Sequence, residues 1–146
     1  MNEIITWGAV ETAARIKAKT VSASDVTEAH LDHITKCEPD LNAVVEVLAD
    51  DARKTARRLD AMPDDRRGPL HGLPITIKIN VDFAGLPNSN GIPALNAAPV
   101  TQDSPLVASL KQDGAVVIGR TNTPEFSLRW FTSNPIYGVT KNPVNK

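Results

Sequence analysis

Cysteine is nearly absent from this chain of 146 residues, and so are aromatics, with one Cys, one Tyr, two Trp and three Phe. A lone Cys37 leaves no internal disulfide framework and no four-cysteine zinc site. Charge is close to balanced, 16 Lys+Arg against 17 Asp+Glu for a net of −1. Such a chain has no general attraction for phosphate backbones or anionic lipid, so neither nucleic acid nor a membrane surface is an expected partner. Long apolar runs are missing too. Val44-Val45 is broken by Glu46, and Ala115–Ile118 stops at Gly119, far short of the ~18 residues a membrane span needs. The start, Met1 to Trp7, has neither the basic beginning nor the apolar core of a secretory signal. With one cysteine, that points to a reducing cytoplasm. What is present, 41% hydrophobic and 23% charged residues, is ordinary for a soluble globular domain.

The first third reads as helical. Val10, Ala13, Ala14 and Ile16 recur at near-helical spacing between Trp7 and Lys19. Ser22 and Asp25 form an aspartate variant of the capping box, opening a helix whose stripe of Val26, Ala29, His30, Ile34 and Cys37 runs up to Pro39. Val44–Leu48 is a short β-branched strand. Asp50–Met62 returns to helix, with Ala52, Ala56 and Leu59 on one face and Arg53, Lys54, Arg57 and Arg58 on a solvated one. After a Gly- and Pro-punctuated loop, Ile75, Ile77, Ile79 and Val81 alternate with Thr76, Lys78, Asn80 and Asp82, the pattern of a strand. Residues 84–102 form a long irregular loop. Ser104 caps a helix with Pro105 at its first position, Gly114 ends it, and Ala115–Gly119 is a buried strand. Thr123-Pro124-Glu125 starts a further short helix through Trp130, and the last residues read as loop. Strand, helix, strand in this order predicts an α/β layer architecture. Residues 1–62 are expected as a helical region with one short strand, and 63–146 as the start of a core sheet carrying the lysine-bearing strand.

Three groups of residues invite chemistry. His30, His33 and Cys37 fall at helical spacing and could face one metal ion, but no fourth ligand is in view and the helix needs this stripe for burial. An amphipathic helix with half-buried histidines is the simpler reading, and a Cys37 nucleophile beside His33 is no stronger. Lys78 stands mid-strand between isoleucines. There desolvation favours the neutral amine, a base, against the alternative of a charged lysine on a wet strand face. His71, in the turn before that strand, could be catalytic, but a turn histidine is more often packing or solvent-facing. No phosphate loop and no Gly-x-Ser-x-Gly motif is present.

Taken together the motifs are more specific. Gly68-Pro-Leu-His-Gly-Leu-Pro-Ile-Thr-Ile-Lys78 and Asn80-Val-Asp-Phe-Ala-Gly-Leu-Pro87 closely resemble the amidase signature family. So do Asp103-Ser-Pro-Leu-Val-Ala-Ser-Leu, Asp113-Gly-Ala-Val-Val-Ile-Gly-Arg-Thr-Asn122, Pro124-Glu-Phe126 and Asn134-Pro-Ile-Tyr-Gly-Val-Thr-Lys-Asn-Pro143. The resemblance spans essentially the whole chain. It implies the N-terminal part of the amidase signature fold, a mixed central sheet covered by helices, truncated before completion. It also implies a Ser-Ser-Lys triad in which Lys78 is the base, no metal and no cofactor. Ile79 stands where the family usually has aspartate, which bears on local hydrogen bonding.

Both family serines should lie beyond the Asn-Pro motif at the end of this chain. Ser104, Ser109, Ser127 and Ser133 occupy no matching motif, and none is assigned. The resemblance therefore implies a segment of an amidase acting on a small carboxamide, inactive alone and prone to self-association as a homo-oligomer through uncovered strand edges. Pro124-Glu125-Phe126 is closer to the free-standing amidases, on indole- or aryl-acetamides, than to the amidotransferases that amidate glutamate on transfer RNA. Leu128, Trp130 and Phe131 are candidate acyl-pocket contacts, or else core residues. A catalytically dead remnant acting as a binding module is the alternative, as is an amidotransferase fragment.

Overall fold

The structure is a computed structural model that describes residues 2–144. In chain order the elements are α1 (Ala9–Lys17), α2 (Ala23–Leu41), β1 (Val44–Val47), α3 (Ala49–Asp60), β2 (Pro74–Lys78), α4 (Pro105–Gln112), β3 (Val116–Thr121), β4 (Ser133–Asn134) and β5 (Gly138–Val139), with single 3-10 turns between them. β1, β3 and β2 form one sheet in that order, and β4 and β5 pair as a hairpin. The expected α/β class is what is found. The chain divides into two compact units, each assembled from three stretches: residues 1–36, 48–75 and 109–118 in the first, residues 37–47, 76–108 and 119–146 in the second.

The first unit is organised around an apolar cluster of Ala23, Leu31, Ala52, Ala56, Leu59, Val116 and Ile118. Three of these, Ala52, Ala56 and Leu59, are the stripe that helical spacing places on one face of α3. The opposite face is wet, and Arg53 there grips the Glu28 carboxylate at 2.6 and 3.0 Å, which lowers the Glu28 pKa. Here Val116 N–H bonds the Leu73 carbonyl at 2.9 Å, and the opening of β3 is fully buried.

The start of α2 shows how few residues fix a helix end. A helix leaves its first N–H groups without internal partners. Ser22 Oγ accepts from Asp25 N–H at 2.9 Å while Asp25 accepts from Ser22 N–H at 3.2 Å, the predicted box. The remaining two donors find a partner that no local pattern announces. Asp60, the last residue of α3, accepts from Ala23 N–H at 2.7 Å, from Ser24 N–H at 3.1 Å and from Ser24 Oγ at 2.5 Å. A negative charge at a helix N-terminus is favourable in itself.

Several expectations are corrected. Val10, placed on the apolar stripe of the first helix, is exposed, and Thr12 and Ile16 are the buried residues of α1. Of the expected stripe, Ile16 is buried as forecast. α2 does not stop before Pro39 but contains it, ending at Leu41. The missing proline N–H costs one helical bond in the last turn, and the chain leaves immediately afterwards through a left-handed Asn42 (φ 54°). The β2 alternation ends at Lys78, where Val81 N–H bonds back to the Lys78 carbonyl at 3.0 Å and turns the chain. β3 runs through Gly119 rather than stopping there. A Cβ at Gly119 would stand 2.5 Å from Val44 Cγ1, so the glycine admits β1 alongside. The terminal stretch is not loop throughout, since it makes the β4–β5 hairpin.

α4 matches its forecast: Ser104 Oγ accepts from Val107 N–H at 3.3 Å, Pro105 is the first residue, and Gly114 leaves the helix at φ 92°. Among the described residues no helix is long and apolar enough to cross a membrane.

Replacing Asp60 by alanine strips three donors at the start of α2 of their acceptor. Urea denaturation of Asp60→Ala is expected to show a loss of about 1–2 kcal/mol, with far-ultraviolet circular dichroism retained at zero denaturant.

Candidate active site

Everything around Lys78 belongs to the second unit, and its frame is a buried arginine. β1 and β3 are antiparallel, with Val44 opposite Thr121, Glu46 opposite Arg120 and Val47 opposite Gly119, and the register shifts between Val44 and Glu46. Beyond the end of β2, Ile79 N–H bonds the Thr121 carbonyl at 3.0 Å. That bond and the Val116–Leu73 bond advance together along both strands, so β2 and β3 run parallel, and the connection between them carries α4.

Arg120 is fully buried. Its Nη1 donates to Glu46 Oε2 at 2.8 Å, and its Nη2 donates to the carbonyls of Ile79 at 2.9 Å and Pro87 at 2.8 Å. One rigid guanidinium thus ties β1, the turn after Lys78 and the irregular loop to β3. The other oxygen of Glu46 accepts from the Tyr137 hydroxyl. Burial first, then this bond and the Glu46 charge, push the Tyr137 pKa up to about 12.

A carboxamide network continues from Tyr137. Asn134 Oδ1 accepts from Ile136 and Tyr137 N–H, both at 2.9 Å, while its Nδ2 donates to Asn122 Oδ1 at 2.6 Å and to the Thr123 carbonyl at 2.7 Å. Asn42, just past α2, donates to the Tyr137 and Val139 carbonyls at 2.6 and 3.1 Å. The asparagines therefore hold the hairpin by satisfying backbone groups that a longer sheet would otherwise pair.

Lys78 emerges at the end of β2 as a half-buried side chain. Its Nζ lies 3.1 Å from Ser127 Oγ. Asn80 Nδ2 reaches the same hydroxyl at 3.1 Å, and Thr123 Oγ1 lies 3.0 Å from it. Thr123 is completely buried, and its hydroxyl also contacts the Pro124 carbonyl at 3.1 Å. The helix expected from Thr123 to Trp130 does not form. Only a three-residue turn, Glu125–Ser127, is present, because Phe126 and Ser127 adopt left-handed φ values of 50° and 59°. Phe126 N–H bonds the Asn90 carbonyl at 3.0 Å instead of continuing a helix.

The structure brings Ser127 to Lys78, although no sequence motif singles it out. Asn80 is the more legible neighbour, two positions after Lys78 in the alternating stretch. Leu128, Trp130 and Phe131 are 82%, 106% and 63% exposed in this chain. His71 lies in the first unit, buried, its pKa lowered by burial and by the Arg67 charge. His30 Nδ1 is 2.8 Å from the Val26 carbonyl in its own helix, and among the described residues no group of three His, Cys, Asp or Glu side chains converges.

Against known proteins, a family model described as Amidase matches residues 25–146. The indoleacetamide hydrolase of Bradyrhizobium diazoefficiens is 50% identical over 139 residues, 94% of this chain and 26% of that protein. One component of the glutamyl-tRNA(Gln) amidotransferase of Acidothermus cellulolyticus is 38% identical over 98% of this chain and 29% of that protein. Among solved structures, the native peptide amidase of Stenotrophomonas maltophilia superposes with a TM-score of 0.86 at 32% identity, over 97% of this chain and 31% of that one. A fatty acid amide hydrolase superposes with a TM-score of 0.90 at 27% identity, over 97% of this chain and 26% of that one. The chain spans about a quarter of the length of the curated relatives it matches.

The raised Tyr137 pKa has a definite sign for stability. The native state holds the phenol proton more tightly than the unfolded chain, so this contribution is complete below the ordinary value of 10.0 and is lost as pH rises from there to about 12. Denaturation midpoints followed through that window are expected to fall for the native chain and to fall less for Tyr137→Phe.

Proposed function

Since the chain belongs to the amidase family, we propose that it is a segment of an amide hydrolase in which Lys78 is the catalytic base. The observation that carries this reading is the placement of Lys78. Its amine ends a strand, half out of solvent, within hydrogen-bonding distance of a hydroxyl, inside the motif that family resemblance assigns to a basic lysine. A neutral amine there takes the proton released when a hydroxyl attacks an amide carbonyl, then returns a proton to the departing nitrogen. The two serines of the triad lie in the part of the protein outside this chain, and the chain alone does not turn over amides. It forms the N-terminal part of a larger catalytic domain, with residues 63–146 starting its core sheet.

A small carboxamide such as an indole- or aryl-acetamide is the substrate class we infer, supported by the 50% identity to an indoleacetamide hydrolase. Leu128, Trp130 and Phe131 offer the exposed apolar surface that the acyl part of such a substrate would meet. The protein works in the cytoplasm, and needs no metal or cofactor for this chemistry.

The test is a chimera. This chain replaces the matching quarter of the Bradyrhizobium indoleacetamide hydrolase, and release of ammonia from indole-3-acetamide is measured. The hybrid is expected to hydrolyse it, with Lys78→Ala lowering kcat/KM by at least about a thousandfold. A folded hybrid whose activity survives Lys78→Ala overturns the assignment of Lys78, and hydrolysis by the isolated chain that Lys78→Ala abolishes overturns the inactivity of the chain alone.

A further inference from the structure

We propose that Ser127 is a positioning residue for Lys78, acting as a hydrogen-bond acceptor only and never as the source of the proton that Lys78 takes up. This rests on the reading of Lys78 as the base and adds the direction in which that base faces.

Counting hydrogens assigns a direction to each bond in the proposed network. A hydroxyl has one hydrogen to donate and two lone pairs with which to accept. Three groups surround Ser127 Oγ: Lys78 Nζ at 3.1 Å, Asn80 Nδ2 at 3.1 Å and Thr123 Oγ1 at 3.0 Å. The Asn80 amide nitrogen can only donate. The Thr123–Ser127 contact admits either hydroxyl as donor, and we give that role to Ser127, because Thr123 has an acceptor of its own in the Pro124 carbonyl at 3.1 Å. The Ser127 hydrogen therefore goes to Thr123, and its two lone pairs receive Asn80 and Lys78. An N–H of Lys78 points at Ser127, and no hydrogen of Ser127 points at Lys78.

For a base this arrangement is decisive. In the neutral amine the N–H held by Ser127 fixes the rotation about the Cε–Nζ bond, and the lone pair faces away from Ser127. The proton that Lys78 accepts must come from a different hydroxyl, and Ser127 cannot be the nucleophile, although its hydroxyl lies within hydrogen-bonding distance of the amine. The backbone is set for this purpose at some cost. Phe126 and Ser127 both sit at positive φ, 50° and 59°, where Cβ crowds the following carbonyl oxygen. The Phe126 N–H bond to Asn90 and the Ser127 N–H bond to Pro124, 3.0 and 2.9 Å, hold that geometry. Strain maintained against such a cost is characteristic of sites where a side chain must be aimed.

The test reads the amine itself, in this chain. Acetylation of Lys78 by a trace of acetic anhydride at one fixed pH is measured by mass spectrometry, relative to Lys36 and Lys141 in the same molecules. Ser127→Gly removes the acceptor and relieves the positive φ. It is expected to speed Lys78 acetylation by about threefold or more, because the ammonium form loses a partner. Thr123→Val removes the acceptor of the Ser127 hydrogen, which then turns to the amine lone pair and slows acetylation by a similar factor. Thr123→Ser keeps the hydroxyl and is expected to match the native rate. Opposite signs for the two variants, with rescue by Thr123→Ser, are not produced by general loosening. An unchanged ratio in folded Ser127→Gly overturns the proposal, and so does acceleration in both Ser127→Gly and Thr123→Val. If Thr123→Val does not fold, the Ser127→Gly and Thr123→Ser rates still decide it. An inactive chimera would count against the hydrolase reading while leaving this reactivity pattern standing, and the reverse result would do the opposite.

Discussion

The buried guanidinium of Arg120 is the constraint on which the second unit depends. It is shut off from solvent yet carries a full charge, and that is tolerable only because Glu46 supplies the opposite charge and two backbone carbonyls supply further acceptors. Those acceptors come from stretches far apart in sequence. β1 lends Glu46, the turn after Lys78 lends Ile79, and the irregular loop lends Pro87. Removing the Glu46 charge would strand the guanidinium in a dry site, so the arrangement is held together by the cost of breaking it more than by the gain in making it.

Position follows from that clasp. With the Ile79 carbonyl held and its N–H bonded to Thr121, the backbone on the C-terminal side of Lys78 is pinned at both of its polar groups. Ile79 itself is completely buried, which turns its neighbours Lys78 and Asn80 toward Ser127. Ile79 is thus an apolar anchor in this chain. The network behind Lys78 is built from Arg120, Glu46 and the backbone carbonyls of Ile79 and Pro87.

The local rules were legible where one segment determines its own shape. The Ser22–Asp25 box, the Ser104-Pro105 start and the apolar face of α3 all depend on residues a few positions apart, and all stand as the sequence implies. The order of motifs carried the family and the reading of Lys78. What escaped is what needs a distant partner. Nothing near Asp60 announces that it caps α2, and nothing near Phe126 announces that Asn90 will take its N–H. The expected helix through Trp130 failed for that second reason, and with it the approach of Ser127 to Lys78 was hidden. Arg120 and Glu46 likewise look like ordinary surface charges until β1 is laid against β3.

The most direct measurement is native-state amide hydrogen exchange at Ile79 and Val81 in Arg120→Met, whose side chain fills much of the same space without a charge or donors. If the clasp fixes the segment that carries Lys78, both amides lose protection by about two orders of magnitude or more, roughly 3 kcal/mol. The loss at the Ala52 and Ala56 amides of α3 would be smaller. Protection at Ile79 and Val81 equal to that of the native chain would contradict the claim that Arg120 holds Lys78 in place.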